Sequence, residues 1–162
     1  MKNGKQRKVK NAAGDEAIGL LPPETQADIH RRTRSANGEE RSQDYVEVIA
    51  DLIDALGEAR AVDIARRMGV THVTVVKAVA RLQRDGWVKT RPYRSIFLTE
   101  KGRELAEEVR RRHAIVREFL IALGVKPATA EIDAEGIEHH VSDDTLEVFI
   151  RFTRQQKEKT LR

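Results

Sequence analysis

No cysteine occurs among the 162 residues, so disulfides, zinc–thiolate centres and cysteine nucleophiles are all excluded. Aromatic residues make up only 4% of the chain and charged residues 35%, a balance that predicts solvated helix faces around a thin core. No apolar run approaches the roughly 18 residues of a membrane span. The short apolar stretch near the start, Ala17-Ile18-Gly19-Leu20-Leu21, stops at Pro22-Pro23 and does not make a signal peptide. There is no internal repeat, no glycine-rich phosphate loop and no nucleophile or oxyanion motif, so an enzyme is not expected. Positive charge is in slight excess, +4 overall, which permits an anionic partner without identifying one. The expectation from these absences is a soluble cytoplasmic protein of one domain or two small ones.

What is present is concentrated in Asp133-Ala134-Glu135-Gly136-Ile137-Glu138-His139-His140-Val141-Ser142. On a helix, Glu135, Glu138 and His139 fall at i, i+3 and i+4 and share one face. Two carboxylates and an imidazole within about a 100° arc can grip a divalent cation. Oxygen donors with one nitrogen suit Mn²⁺ or Fe²⁺ better than a thiolate-loving ion. The same spacing arises on an ordinary solvated face, so the rest of the chain has to decide.

Residues 1–40 read as a basic leader expected to be disordered. Lys2, Lys5, Arg7, Lys8 and Lys10 have no acidic neighbour until Asp15, and apolar periodicity is absent. A helix is expected from Ser42 as N-cap to a stop at Gly57, with Val46, Ile49, Ala50, Ile53 and Leu56 as its apolar stripe. Beside it runs an acidic stripe, Asp44, Glu47, Asp51 and Asp54. That stripe is either a solvated face or, at Asp44 and Glu47, a pair of carboxylates spaced i, i+3.

Ala61 to Met68 reads as a short helix, Gly69-Val70-Thr71 as a tight turn and Val73 to Arg84 as a second helix. Two short helices joined through a glycine turn make a helix-turn-helix. Val75, Val79 and Leu82 can pack inward, leaving Thr71, His72, Thr74, Lys77 and Arg81 to face out. Short hydroxyls with Lys and Arg are the side chains that read base edges and phosphates in a major groove. Trp87 to Thr90 and Ser95 to Leu98 then alternate like strands around Arg91-Pro92-Tyr93-Arg94. A hairpin with a basic, aromatic tip after a helix-turn-helix is a winged helix, and Arg91 and Arg94 are candidate contacts to the DNA backbone or minor groove.

Thr99 caps a long helix, Glu100 to about Leu123, ended by Gly124. Its stripe is Leu105, Val109, Val116, Leu120 and Leu123, with Phe119 at one edge and His113 on the stripe itself. A lone histidine there is commonly a core residue, but a histidine–carboxylate cluster follows some twenty residues later. Pro127 opens a further helix into that cluster, and Ser142-Asp143-Asp144 starts a last amphipathic one with Leu146, Phe149 and Ile150. Helices this small cannot bury their apolar faces alone, so a two-fold dimer is expected.

Assembled, the chain resembles the diphtheria-toxin-repressor family of metal-dependent regulators, in particular its manganese-responsive branch. The likeness rests on Asp44-Tyr45-Val46-Glu47, Thr74-Val75 through Val79-Ala80-Arg81 to Arg84-Asp85-Gly86, Phe97-Leu98-Thr99-Glu100-Lys101-Gly102, Arg112-His113 and the Asp133–His140 block. The resemblance implies a mainly α fold with a small β-wing, a winged helix-turn-helix domain (41–103) followed by a helical metal-binding and dimerisation domain (104–162). It implies a metal site formed by Asp44, Glu47, His113, Glu135, Glu138 and His139, holding two Mn²⁺ ions per subunit with shared carboxylates. Iron-responsive relatives carry methionine in place of Asp44 and cysteine in place of Glu135, and the two carboxylates here harden the site toward Mn²⁺. His140 points about 100° away from His139 and stays outside the set. The implied function is a Mn²⁺-dependent repressor of metal-uptake genes, a homodimer on a palindromic operator in double-stranded DNA. The alternative is a winged-helix regulator responding to Fe²⁺ or a small organic molecule. The further SH3-like domain of longer members is not expected.

Overall fold

The computed structural model describes residues 20–90 and 95–160. Its elements run α1 (Pro23–Leu56), α2 (Ala61–Met68), α3 (His72–Arg84), β1 (Val88–Lys89), β2 (Phe97–Leu98), α4 (Glu100–Ala122), α5 (Pro127–Ile137) and α6 (Asp143–Thr160). The leader lysines and the wing tip, with Arg91 and Arg94, lie outside the described residues.

The first helix corrects the expected start. It begins at Pro23, and Ser42 is an interior residue, buried to 4% exposure, rather than a cap. Residues 23–41 bury almost nothing, so no apolar stripe announces them. Proline at the first turn is pre-set for a helix, Asp28 pairs with Arg31 one turn on, and the packed second half propagates helix outward at no new nucleation cost. At the other end Gly57 adopts φ 79°, the left-handed stop that its Cβ-free backbone allows, and its N–H reaches Ile53 O at 2.8 Å. Tyr45, Val46, Ile49, Ala50 and Leu52 form the buried face. Leu56, assigned to the stripe, is 62% exposed because the last turn outruns the elements packed on α1.

The helix-turn-helix stands as expected, one residue longer at the start of α3. Thr71 Oγ1 accepts from Thr74 N at 3.2 Å, capping α3. Ile64, Val75, Ala78, Val79 and Leu82 are buried against α1 and the wing. The wing strands are shorter than expected: Val88 pairs Leu98 and Lys89 pairs Phe97, while Ile96 bridges back to Ala59.

Thr99 caps α4 by accepting from Gly102 N at 3.0 Å and donates its own hydroxyl to Gly86 O at 2.7 Å. Gly102 is there because the strand entry passes so close. A Cβ at that position would stand 2.1 Å from the Trp87 carbonyl oxygen. The helix then leaves the first core, built from α1, α2, α3 and the wing, and enters a second around Val116, Ala134 and Leu146. Phe119 stacks on Phe149 there, centroids 3.8 Å apart. Leu123, assigned to the α4 stripe, is the C-cap and 54% exposed. The architecture is a winged helix-turn-helix followed by a helical unit, with α1 and α4 spanning the junction.

Candidate metal centre

At that junction the middle of α1, the middle of α4 and the end of α5 converge. The α5 helix ends at Ile137, so Glu138 and His139 lie just past it rather than on it. Glu138 keeps helical dihedrals (φ −57°, ψ −35°) and its N–H reaches Ala134 O at 3.0 Å. The i, i+3 relation to Glu135 therefore survives, while His139 is carried by the turn. Arg112 holds that turn. Its Nε and Nη2 donate to the Glu138 carbonyl at 3.1 and 2.9 Å, Nη2 also to the Val141 carbonyl, and Nη1 to Asp143 at 2.8 Å. A cation on the last carbonyls of a helix is favourable as well as satisfying them.

Glu138 is the centre of the arrangement. It is 1% exposed, and among the described residues neither carboxylate oxygen meets a hydrogen-bond partner in good alignment. Its Oε2 lies 2.7 Å from His113 Nδ1, which also lacks a hydrogen-bond partner. Ligand-competent atoms of His113, Glu135 and Glu138 all fall within 4.8 Å of one another. Its Oε1 lies 3.5 Å from His139 Nε2, which in turn is 3.3 Å from Asp44 Oδ1. One carboxylate thus looks toward two donor sets, His113 with Glu135 and His139 with Asp44. Burial pushes the Glu138 carboxyl up to about 8, with His113 pulling it down and Glu47 and Glu135 pushing it further up. Glu47 is raised too, by burial first and then by Glu135 and Asp51, against His113 and Arg110.

The expected acidic stripe on α1 therefore divides. Asp44 and Glu47 act on this cluster, whereas Asp51 and Asp54 share one cation, Arg110, at 2.6 and 2.8 Å. His140 turns away to Glu40 at 3.5 Å. Of the six residues singled out, His113, Glu135 and Glu138 group most tightly, His139 and Asp44 adjoin them through Glu138 Oε1, and the Glu47 charge acts on Glu138. A bare, buried carboxylate among like charges is costly unless a cation joins it, and the donor set of four carboxylates and two imidazoles fits a hard to borderline divalent ion.

Three supporting residues were not legible in the sequence. Arg112 is one; Gln43, whose Oε1 lies 2.7 Å from His139 Nδ1, is another. The third is Glu131, 3.4 Å from His113 Nε2 and itself paired with Arg117. Such contacts between distant stretches leave no spacing signature, though the Arg112-His113 adjacency marks where one of them would be.

On the other face of the winged helix, Thr71, His72, Thr74 and Lys77 are exposed along the first half of α3. Arg81, expected to face out, is half-buried, and its Nε is buried with no hydrogen-bond partner among the described residues. There α3 packs on α1, and the Arg81 charge acts on the Tyr45 hydroxyl, opposing the burial that raises its pKa.

The sequence matches the family described as "Iron dependent repressor, N-terminal DNA binding domain" over residues 39–96, and "Iron dependent repressor, metal binding and dimerisation domain" over residues 99–159. The transcriptional regulator MntR of Salmonella typhimurium is 48% identical over 136 residues, 84% of this chain and 87% of that protein. MntR of Escherichia coli O157:H7 is 47% identical over 140 residues, 86% of this chain and 90% of its own length. Among solved structures, the manganese regulator SloR superposes with a TM-score of 0.62 at 28% identity, covering 70% of this chain and 53% of that one. A manganese-dependent transcriptional repressor in complex with manganese gives 0.61 at 28% identity, covering 72% and 52%. The chain spans about half the length of these two solved chains.

Proposed function

The chain belongs to the iron-dependent repressor family, and on that basis we propose that it is a Mn²⁺-dependent transcriptional repressor serving manganese homeostasis, with the metal as corepressor. The observation that carries this reading is the buried Glu138 carboxylate, bare on both oxygens and flanked by two histidine–carboxylate sets. Asp44, Glu47, His113, Glu135, Glu138 and His139 would hold the metal, with Glu138 standing between the His113–Glu135 set and the His139–Asp44 set. The winged-helix unit covers 41–103 and the metal-binding and dimerisation unit 104–162. The protein acts as a cytoplasmic homodimer on a palindromic operator, as a regulator rather than an enzyme. Thr71, His72, Thr74, Lys77 and Arg81 contact base edges and phosphates of the major groove, with Arg91 and Arg94 on the backbone or in the minor groove.

Bound Mn²⁺ supplies the positive charge that this carboxylate cluster lacks. Without countercharge Asp44 and Glu47 on α1 are repelled by Glu135 and Glu138, and α1 sits loosely against the dimerisation unit. With the charges balanced, Asp44 and Glu47 draw α1 in, and α1 carries α2 and α3 with it through the shared apolar core. Two recognition helices then take the spacing that a two-fold operator requires. The coupling available is the difference in metal affinity between the two seatings, typically about 1–3 kcal/mol.

The test is fluorescence anisotropy on operator or genomic fragments at fixed salt, titrating Mn²⁺ into chelator-treated protein. A steep gain with Mn²⁺ and little with Zn²⁺ or Mg²⁺ is expected. Equal binding with and without metal overturns the reading.

A further inference from the structure

Gln43 is outside the ligand set, yet its Oε1 lies 2.7 Å from Nδ1 of His139, 96 positions along the chain. The His139 side chain is only 3% exposed, so water does not compete freely for that nitrogen. An amide oxygen only accepts, so the contact requires the proton on Nδ1 and leaves the lone pair on Nε2. Nε2 faces Asp44 Oδ1 at 3.3 Å and Glu138 Oε1 at 3.5 Å. Those two carboxylates favour the opposite tautomer, with the proton on Nε2 pointing at them, and that form has no lone pair for a metal. The ring is therefore contested from its two ends.

We propose that Gln43 is a positioning residue that holds His139 in the Nδ1–H tautomer and so keeps Nε2 open for metal. The proposal rests on the reading of His139 as a ligand. Its mechanism is the familiar one in which the partner of a histidine's other nitrogen sets which nitrogen binds. Its particular consequence comes from where Gln43 sits. It is on α1, next to Asp44, whereas His139 belongs to the turn after α5. When α1 is unseated the site loses two carboxylate ligands, Asp44 and Glu47, and the tautomer of a histidine ligand together. By linkage, metal affinity and α1 position then report on one another.

Metal-free, full-length protein labelled with ¹⁵N-histidine gives the tautomer from long-range ¹H–¹⁵N spectra at a pH where the ring is neutral. Mn²⁺ affinity without DNA is read by electron paramagnetic resonance of the free ion. Expected are an Nδ1–H ring in the unmodified protein, a shift toward Nε2–H in Gln43→Leu, and Mn²⁺ affinity lower by about 10–100-fold in that variant. Gln43→Glu, which keeps an acceptor oxygen, restores both. Gln43→Met takes the place of Gln43→Leu if the latter folds poorly. An Nε2–H ring in the unmodified protein, or unchanged tautomer and affinity in Gln43→Leu, overturns the proposal while leaving the metal reading intact. Full Mn²⁺ affinity in His139→Ala overturns the ligand reading of His139 and the proposal with it.

Discussion

His113 Nδ1 and Glu138 Oε2 stand 2.7 Å apart, an ion-pairing distance, with the Glu138 side chain only 1% exposed. A proton shared between these two atoms holds them together without metal, and a divalent cation would have to displace it. Replacing the carboxylate by its neutral isostere separates the two consequences. Glu138→Gln should raise metal-free stability above pH 8, by at least ~1 kcal/mol in urea denaturation, because the buried charge is gone. The same variant should lose at least 10-fold in Mn²⁺-stimulated DNA binding, and retention of that stimulation would remove Glu138 from the ligands.

The pH dependence of the metal-free protein follows from the same group. Its folded pKa, about 8, lies above the ordinary 4.5, so folding favours the protonated carboxyl. The associated stability is complete below about pH 4.5 and is lost as pH rises through about 8. Glu47, also raised, adds in the same direction. Denaturation midpoints measured from pH 5 to 9 should fall without metal, and Glu138→Gln should flatten the curve. Mn²⁺ binding near pH 7 should release protons, visible as a calorimetric enthalpy that depends on the buffer.

Lys77 is exposed on α3 and outside the metal cluster. Lys77→Ala should weaken operator binding and reduce the slope of log affinity against log salt by about 1. Mn²⁺ affinity without DNA should stay unchanged. A normal gel shift would take Lys77 off the contact surface.

Gly102 marks where α4 meets the wing, and an added Cβ would stand 2.1 Å from backbone oxygen. Because no side chain can swing aside, Gly102→Ala should cost about 2 kcal/mol or more, seen as a lower melting temperature. Unchanged stability would mean that the strand entry yields easily.

Legibility tracked the range of the interaction. Gly57, Gly69, Thr99 and Gly124 act within one turn of themselves, and the element ends they announce are where the sequence puts them. The start of α1 was hidden because residues 23–41 have no buried face to betray a helix. Ser42 resembled a cap only because the preceding helix was unseen. The cluster was visible as Glu135, Glu138 and His139, although His139 reaches it from a turn and not from a helix face. Arg112 stood in a quoted stretch, but its role, like those of Gln43 and Glu131, was hidden because each acts on a partner outside its own element.

The helix that carries Asp44 and Glu47 continues unbroken back to Pro23. At 1.5 Å per residue, that reach is ~30 Å of helix beyond Asp44. Its far part is almost wholly exposed in the single chain. A tilt of about 10° at Asp44, too small to see in the cluster itself, would sweep the tip through ~5 Å. The molecule thereby carries its own pointer, and a spin label near that end would register metal occupancy as a change in distance to the same end of the partner subunit.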